Sequence, residues 1–474
     1  MKVSLFSSLV SVFGLLFLTA QDGRINLQSQ PNIIVILADD LGYADVGFNG
    51  CRDIPTPNID KIASQGVKFT EAYVSYPVCG PSRAGLITGR YQDRFGFGRN
   101  PLFAPNDVEM GLPLSEETLA DALKKSDYKT IALGKWHLGA HESLRPNNRG
   151  FDEFFGFLSG GHSYFPEEWT LSNEYEVKAQ FDPYRTKLLR NNERIEEHDY
   201  LTDALSREAV AYIDQYRSEP FFIYLAYNAP HTPLQATQQY LDRFNHIEDT
   251  KRKTYAAMVS AMDDGIGLVL DQLEKLGLKE NTIIYFLSDN GGPEYHNASD
   301  NGILRGGKSD LFEGGIRVPF AMMWPKKIKP NSVYDNPIIA LDIFATSIAQ
   351  SKQPIKTLNT IDGVNLIPYL NGDIKTAPHN YFFWRKFDHN QFAVRHTDGY
   401  KLINAKSNQK LFNLSTNISE DNTSAEVNTQ LQKELLKHYN NWNNELMNPT
   451  FLGLGSDDEY NALNPNRFIK PNED

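Results

Sequence analysis

Two adjacent carboxylates, Asp39 and Asp40, follow directly on the apolar run Asn32–Ala38. Side by side at a strand end, they can hold a hard divalent cation. A carboxylate and an amide, Asp289 and Asn290, follow a second apolar run at 283–287 and precede Gly291-Gly292. The four together offer an all-oxygen shell, which suits Ca²⁺, or less well Mg²⁺, rather than zinc. Cations able to bind an oxyanion stand at similar places. Lys135 and His137, within Gly134-Lys135-Trp136-His137-Leu138-Gly139, occupy i and i+2 of an extended segment and point the same way. That sets a fixed ammonium beside an imidazole able to move a proton. Lys308 offers a second ammonium in Gly306-Gly307-Lys308, ahead of Glu313-Gly314-Gly315-Ile316-Arg317-Val318-Pro319. His231 stands between Pro230 and Pro233, which stiffen the backbone around it. There are two cysteines in 474 residues, and one of them, Cys79, opens Cys79-Gly80-Pro81-Ser82-Arg83. So few cysteines in so long a chain suggest that Cys79 is kept for chemistry. Taken singly, each feature also has a structural reading: a solvated acidic loop, a buried thiol at a helix start, a histidine satisfied by a carbonyl.

These residues need a scaffold that brings them together, and the hydrophobic pattern supplies one. An apolar run of strand length spans 32–38, and similar runs recur at 128–133, 221–226, 283–287 and 320–324. Such runs suit parallel strands buried on both faces. Helical patterns at 115–125, 202–217 and 254–276 lie between them. The alternation predicts an α/β fold, with a mostly parallel central sheet sandwiched by helices across 31–370. In such sheets the loops at the carboxyl ends of the strands form the site. After Asn371-Gly372 the pattern changes to short strand-like pieces, a hairpin signal at Asp398-Gly399, a helix at 426–442 and a polar tail after Pro449. Residues 371–474 are therefore expected to form a small C-terminal α+β domain with an antiparallel sheet.

Composition narrows the class. The formal net charge is −12, which argues against non-specific nucleic-acid binding and, at first sight, against an anionic substrate. Lys2, the interrupted apolar run 5–18 and Thr19-Ala20 read as a signal peptide over residues 1–20, too short for a membrane span. The expectation is an exported protein, periplasmic or secreted, without a membrane anchor.

The Cys79–Arg83 stretch, continued by Ala84-Gly85-Leu86-Ile87-Thr88-Gly89-Arg90, resembles the signature of type I sulfatases, members of the alkaline phosphatase superfamily. The 134–139 segment, Arg149-Gly150-Phe151-Asp152, Pro230-His231-Thr232-Pro233 and the 288–292 and 306–319 segments resemble further family elements, in family order over roughly 31–320. The resemblance implies an alkaline-phosphatase-like catalytic domain and sulfate-ester hydrolysis. It also implies that Cys79 is oxidised to formylglycine (3-oxoalanine) by a formylglycine-generating or sulfatase-maturating enzyme. One hydroxyl of the aldehyde hydrate would attack sulfur, and the other would later expel sulfate. Asp39, Asp40, Asp289 and Asn290, with residue 79, would hold the metal. Arg83, Lys135 and His137 would hold the hydrate, Lys135 and Lys308 the sulfate oxygens, and His231 would protonate the leaving oxygen. A sulfated polysaccharide or oligosaccharide, such as ulvan, another algal glycan or a glycosaminoglycan, is the expected substrate. His162, Tyr164, His296 and Arg385, with Trp169 and Trp384, are candidates for contacting it. Two rival readings are a phosphomonoesterase or phosphonate hydrolase, for whose zinc pair the His-rich ligands are missing, and an unmodified sulfoglycan-binding module.

Overall fold

The computed structural model describes residues 30–470, apart from 353, 406–407 and 423–427. The expected signal peptide lies outside these residues. Asn32–Ala38 is the central strand, paired in parallel with Thr282–Ser288 on one side and Phe221–Ala226 on the other. Lys129–Lys135 and then Glu153–Phe157 extend the parallel core. Five more strands complete a ten-stranded mixed sheet. Phe320–Met323 joins it antiparallel to Thr282–Ser288.

Side chains of a strand alternate between sheet faces, and here both faces are apolar. Ile33, Val35 and Leu37 pack with the helices Cys79–Thr88, Leu119–Lys124 and Asp342–Ile348. Ile34, Ile36 and Ala38 pack on the other face with Pro57–Ser64, Leu201–Gln215 and Thr250–Lys275. The first of the expected helices starts later than residue 115. Thr118 caps it, in a reciprocal capping box with Asp121 that satisfies two otherwise orphaned N–H groups.

The C-terminal unit is a four-stranded antiparallel sheet, Tyr381–Lys386, Gln391–His396, Tyr400–Ala405 and Asn408–Asn413. The helix Thr429–Asn443 covers it through Leu435, Tyr439 and Trp442. Its core is shared with the large sheet's surroundings. Tyr73, Ile316 and Leu341 belong to the same cluster, and Trp384 donates its indole N–H to the Val74 carbonyl at 2.7 Å. The polar stretch after Pro449 packs back against the large sheet's core. Phe451 and Tyr460 enter the main core, and Arg467 donates to the Phe103 carbonyl. Among the described residues no helix is long and apolar enough to cross a membrane.

Candidate active site

Strand register gathers the acids. Ala38 lies opposite Ser288, so Asp39 and Asp289 leave adjacent strand ends together, and the Asp289 amide donates to the Ala38 carbonyl at 3.0 Å. Asp40 then turns into the left-handed region at φ 65°, where its amide donates to Asp289 Oδ1. Asn297, fully buried, donates its side-chain amide to the Asp40 carbonyl and holds that turn from below. The neighbouring parallel strands deliver Lys135 at the end of Lys129–Lys135 and His231 five residues beyond Phe221–Ala226. Gly291 lets the Asp289-Asn290 loop touch the segment after Lys308. A Cβ there would stand 1.7 Å from the Gly314 carbonyl oxygen, and the Gly291 amide donates to Gly315. Cys79 is the first residue of a ten-residue helix.

The resulting cluster is almost wholly removed from solvent. Asp39, Arg83 and Asn290 are fully buried, and Cys79, Lys135 and Asp289 nearly so. Lys135 Nζ donates to Asp39 Oδ2 at 2.6 Å. Arg83 donates from Nε to Asp289 Oδ2 at 2.9 Å and from a terminal nitrogen to the Lys135 carbonyl at 3.1 Å. Lys308 Nζ donates to Asp40 Oδ2 at 2.8 Å, and Asn290 donates to Asp40 Oδ1 at 2.6 Å. The Cys79 thiol lies 3.5 Å from Asp39 Oδ1. His231 Nδ1 donates to the Thr232 carbonyl at 2.6 Å, which leaves Nε2 facing Asp40 Oδ2 at 3.6 Å. His137 adopts φ 57°, and its Nδ1 is buried without a partner.

These surroundings set the charge states. Burial pushes the Cys79 thiol up to about 12, partly opposed by Lys135 and Lys308. Burial would raise Asp40 as well, but Lys308, His231 and Lys135 hold it well below the usual carboxylate range. Asp289 is raised by burial and by Asp39. Burial, then Lys308, lowers His231 to about 3, and burial with Lys135 and Arg83 lowers His137 well below its usual value. Lys308 opposes burial through Asp40 and stays charged. The site thus presents fixed cations, neutral imidazoles and a protonated thiol.

A divalent cation suits this donor set. One donor atom from each of Asp39, Asp40, Cys79 and Asp289 lies within 4.8 Å of the others. Asn290 Oδ1 is buried beside them with no hydrogen-bond partner. An orphaned amide oxygen next to three carboxylates is costly unless a cation takes it.

The ten residues expected to carry catalysis and metal binding converge here. Three of the four expected substrate contacts are buried and engaged by the protein's own groups. His162 is fully buried, with its two ring nitrogens on the Ser163 and Thr186 carbonyls. The Tyr164 hydroxyl lies 2.8 Å from the Asn228 and His231 carbonyls, and it therefore positions the His231 loop. Arg385 is committed to Asp93 and the Met447 carbonyl. An aromatic or basic residue in a loop carries no signal that tells such packing from sugar contact. His296 is exposed, one residue before Asn297. Trp169 and Trp384 are buried in the core clusters. In sequence Asn297 carries no signal of this role, since Asn297-Ala298-Ser299 matches only the glycosylation-acceptor pattern.

Comparison with known proteins adds independent findings. Residues 31–351 match the family model described as sulfatase, and residues 307–444 match that of the N-sulphoglucosamine sulphohydrolase C-terminal region. The chain is 33% identical to human (Homo sapiens) N-acetylgalactosamine-6-sulfatase over 383 residues, covering 76% of this chain and 70% of that one. It is 32% identical over 410 residues to the uncharacterized sulfatase YdeN of Escherichia coli K12, covering 75% of this chain and 69% of YdeN. The crystal structure of Ps i-CgsB superimposes with a TM-score of 0.84 at 37% identity, covering 93% of this chain and all of that one. Its complex with k-i-k-neocarrahexaose gives 0.83.

Proposed function

The chain belongs to the sulfatase family and is a sulfuric ester hydrolase, and from that premise we propose that it removes sulfate from a sulfated glycan, using an aldehyde made from Cys79 and a bound divalent cation, Ca²⁺ rather than Mg²⁺. The observation that carries the reading is the meeting of one thiol with the oxygens of Asp39, Asp40, Asp289 and Asn290 and with three cationic side chains. A thiol held near 12 is almost entirely protonated at neutral pH, so it is a poor nucleophile as it stands. The formylglycine hydrate would supply an oxygen nucleophile in its place. Asp39, Asp40, Asp289 and Asn290 would hold the cation, which supplies Lewis acidity toward sulfate oxygens.

The protein's own groups account for the remaining demands. Lys135 and Lys308 are fixed by Asp39 and Asp40, so they meet sulfate oxygens without reorganising. Arg83 is locked by Asp289 and the Lys135 carbonyl and steadies the wall behind residue 79. His137, with a free Nδ1 in a buried setting, is the base for residue 79. His231 can deliver a proton only from Nε2, because Thr232 occupies Nδ1. Burial, then Lys308, keeps His231 unprotonated, and a sulfate bound at Lys308 and Lys135 would favour its protonated form as the acid at the leaving oxygen.

A glycan substrate is supported by the neocarrahexaose complex of Ps i-CgsB, 37% identical over nearly the whole chain, and by the N-acetylgalactosamine-6-sulfatase relatives. Carrageenan and glycosaminoglycan sulfates are therefore the first substrates to try. A signal peptide would place the activity in the periplasm or outside the cell, and a maturating enzyme would have to reach Cys79 before folding buries it. Mass spectrometry of the peptide carrying residue 79, after co-expression with a maturase, should show a species about 18 Da lighter than the cysteine form. Sulfate release from defined oligosaccharides should appear only with that species. Full turnover by protein with an intact thiol would refute the aldehyde mechanism.

A further inference from the structure

A second cleft, of about 470 Å³, separates the catalytic loops from the antiparallel sheet, with Val78, Arg99, Ser309, Lys386, His389 and Leu454 among its walls. That volume falls in the range of small-molecule sites, roughly 300–1,000 Å³. The cleft adjoins the active site: its wall residues Val78 and Ser309 neighbour Cys79 and Lys308 in the chain, and the Ser309 amide donates to the Pro77 carbonyl at 2.8 Å. Leu454 also lines a smaller hollow that runs past His137, Phe181 and Tyr184. Hollows thus lie on two sides of the catalytic groups, one touching His137 and one beside Cys79 and Lys308.

The two cations of this cleft differ. Arg99 has its charge paired, with two N–H groups on the Asp388 carboxylate and a third on the Phe451 carbonyl. Lys386 donates one hydrogen bond, at 2.6 Å, to the Ser309 carbonyl, and it has no ion-pair partner among the described residues. Burial lowers its pKa, with Asp310 opposing. A half-buried ammonium without a counter-ion lowers stability, and its unused N–H donors are available to an anion. Neighbouring His389 is exposed and free to bond sugar hydroxyls.

We propose that this cleft binds the sugar next to the one being desulfated, and that Lys386 recognises an anionic group, sulfate or carboxylate, on that neighbour. The inference rests on the sulfatase reading. It is tested by comparing the matured wild-type protein with Lys386→Met and Lys386→Arg on 4-nitrophenyl sulfate, a carrageenan hexasaccharide and a chondroitin sulfate hexasaccharide. The first has no neighbouring sugar, the second neighbours bearing sulfate, and the third neighbours bearing carboxylate. For Lys386→Met, the ratio of kcat/KM on the recognised hexasaccharide to that on the aryl sulfate should fall about tenfold, through KM, as expected for one charge-assisted contact. Lys386→Arg should recover most of it. The substrate showing the larger fall identifies the anion. Equal falls on glycan and aryl sulfate would overturn the proposal and leave Lys386 as a strut for the Lys308 loop. Calorimetric binding of both hexasaccharides to the Cys79 form gives a readout independent of turnover, and unchanged affinity in Lys386→Met overturns the proposal. Absence of sulfate release by the wild type from every substrate, with glycan binding still dependent on Lys386, counts against the catalytic reading alone.

Discussion

The buried pair Lys135–Asp39 gives the site's electrostatics a quantitative test. Nζ and Oδ2 are 2.6 Å apart, and neither side chain touches solvent. Lys135→Met keeps most of the aliphatic bulk and deletes the charge. It leaves the main-chain carbonyl that receives Arg83 intact. Asp39 would then keep only Arg83 at 3.6 Å and the Cys79 thiol at 3.5 Å. Removing one partner of a buried pair costs about 3–5 kcal/mol. The surviving Arg83 contact places the expected loss near the lower bound, at about 3 kcal/mol. Asp39→Asn strands the ammonium instead and should cost a similar amount. In the double variant neither charge is stranded, so the combined loss should fall short of the sum by about 2–3 kcal/mol. Urea unfolding of the four proteins, with Cys79 unmodified and in the presence of a chelator, measures this through their midpoints at a common slope. Losses that add within about 0.5 kcal/mol would show that the two groups do not sense each other, and the description of the site as fixed, paired charge would fail.

Three further outcomes follow from particular contacts. Added Ca²⁺ should stabilise the protein saturably, by about 2.7 kcal/mol at a hundredfold excess over Kd, and Asp289→Asn should abolish most of the gain. A melting temperature indifferent to both Ca²⁺ and Mg²⁺ would contradict the assigned donor set. Glu420 and Glu313 share the buried ammonium of Lys401, at 2.9 and 2.8 Å. Burial pushes Glu420 up to about 7, while Lys401, Arg317 and Arg395 overcome burial and hold Glu313 near 2. A folded-state value above the ordinary 4.5 means that the fold keeps a proton the unfolded chain has lost. Glu420 therefore favours the fold most below about 4.5, and that contribution declines as pH rises toward about 7. Glu420→Gln should remove this decline, and wild-type and variant melting curves that stay parallel from pH 4.5 to 7.5 would refute it. Finally, Cys51 and Cys79 are both unpaired, with Cys51 Sγ directed at Asp53. Reductant should leave the melting temperature unchanged, and a clear drop would reveal a disulfide.

What sequence could and could not disclose divides along physical lines. The five apolar runs at 32–38, 128–133, 221–226, 283–287 and 320–324 became strands because a strand buried on both faces must be largely apolar. The sequence does not say which pairs are parallel, and Phe320–Met323 runs antiparallel at the margin of the parallel core. Glu153–Phe157 also escaped, because its Glu-Phe-Phe-Gly-Phe sequence is short and contains a glycine. At the site, residues whose chemistry requires a particular side chain stood out: paired acids, a cysteine before Pro-Ser-Arg, a lysine and histidine two apart. Those that act by holding backbone did not. Tyr164 under the His231 loop and Asn297 under Asp40 are defined only by partners about 65 and 257 positions distant. The expectation that His162, Tyr164 and Arg385 would touch sugar failed for the same reason, since residue type does not report whether a polar atom is already satisfied.

The same local view resolves the apparent conflict between an acidic chain and an anionic substrate. A net charge of −12 is summed over a surface where solvent and salt screen most of it. At the strand ends the count is different. Three cations, Arg83, Lys135 and Lys308, each rest on a carboxylate, Asp289, Asp39 and Asp40 respectively. That arrangement is close to neutral in total and rigid in geometry, with donors fixed before any ligand arrives. A dication held among the same carboxylates would leave a net double positive charge at the proposed sulfate site. On that reading the acids would serve the binding of an anion twice, by orienting the ammonium and guanidinium groups and by supplying ligands for the cation, and the field that matters would be set close to Cys79.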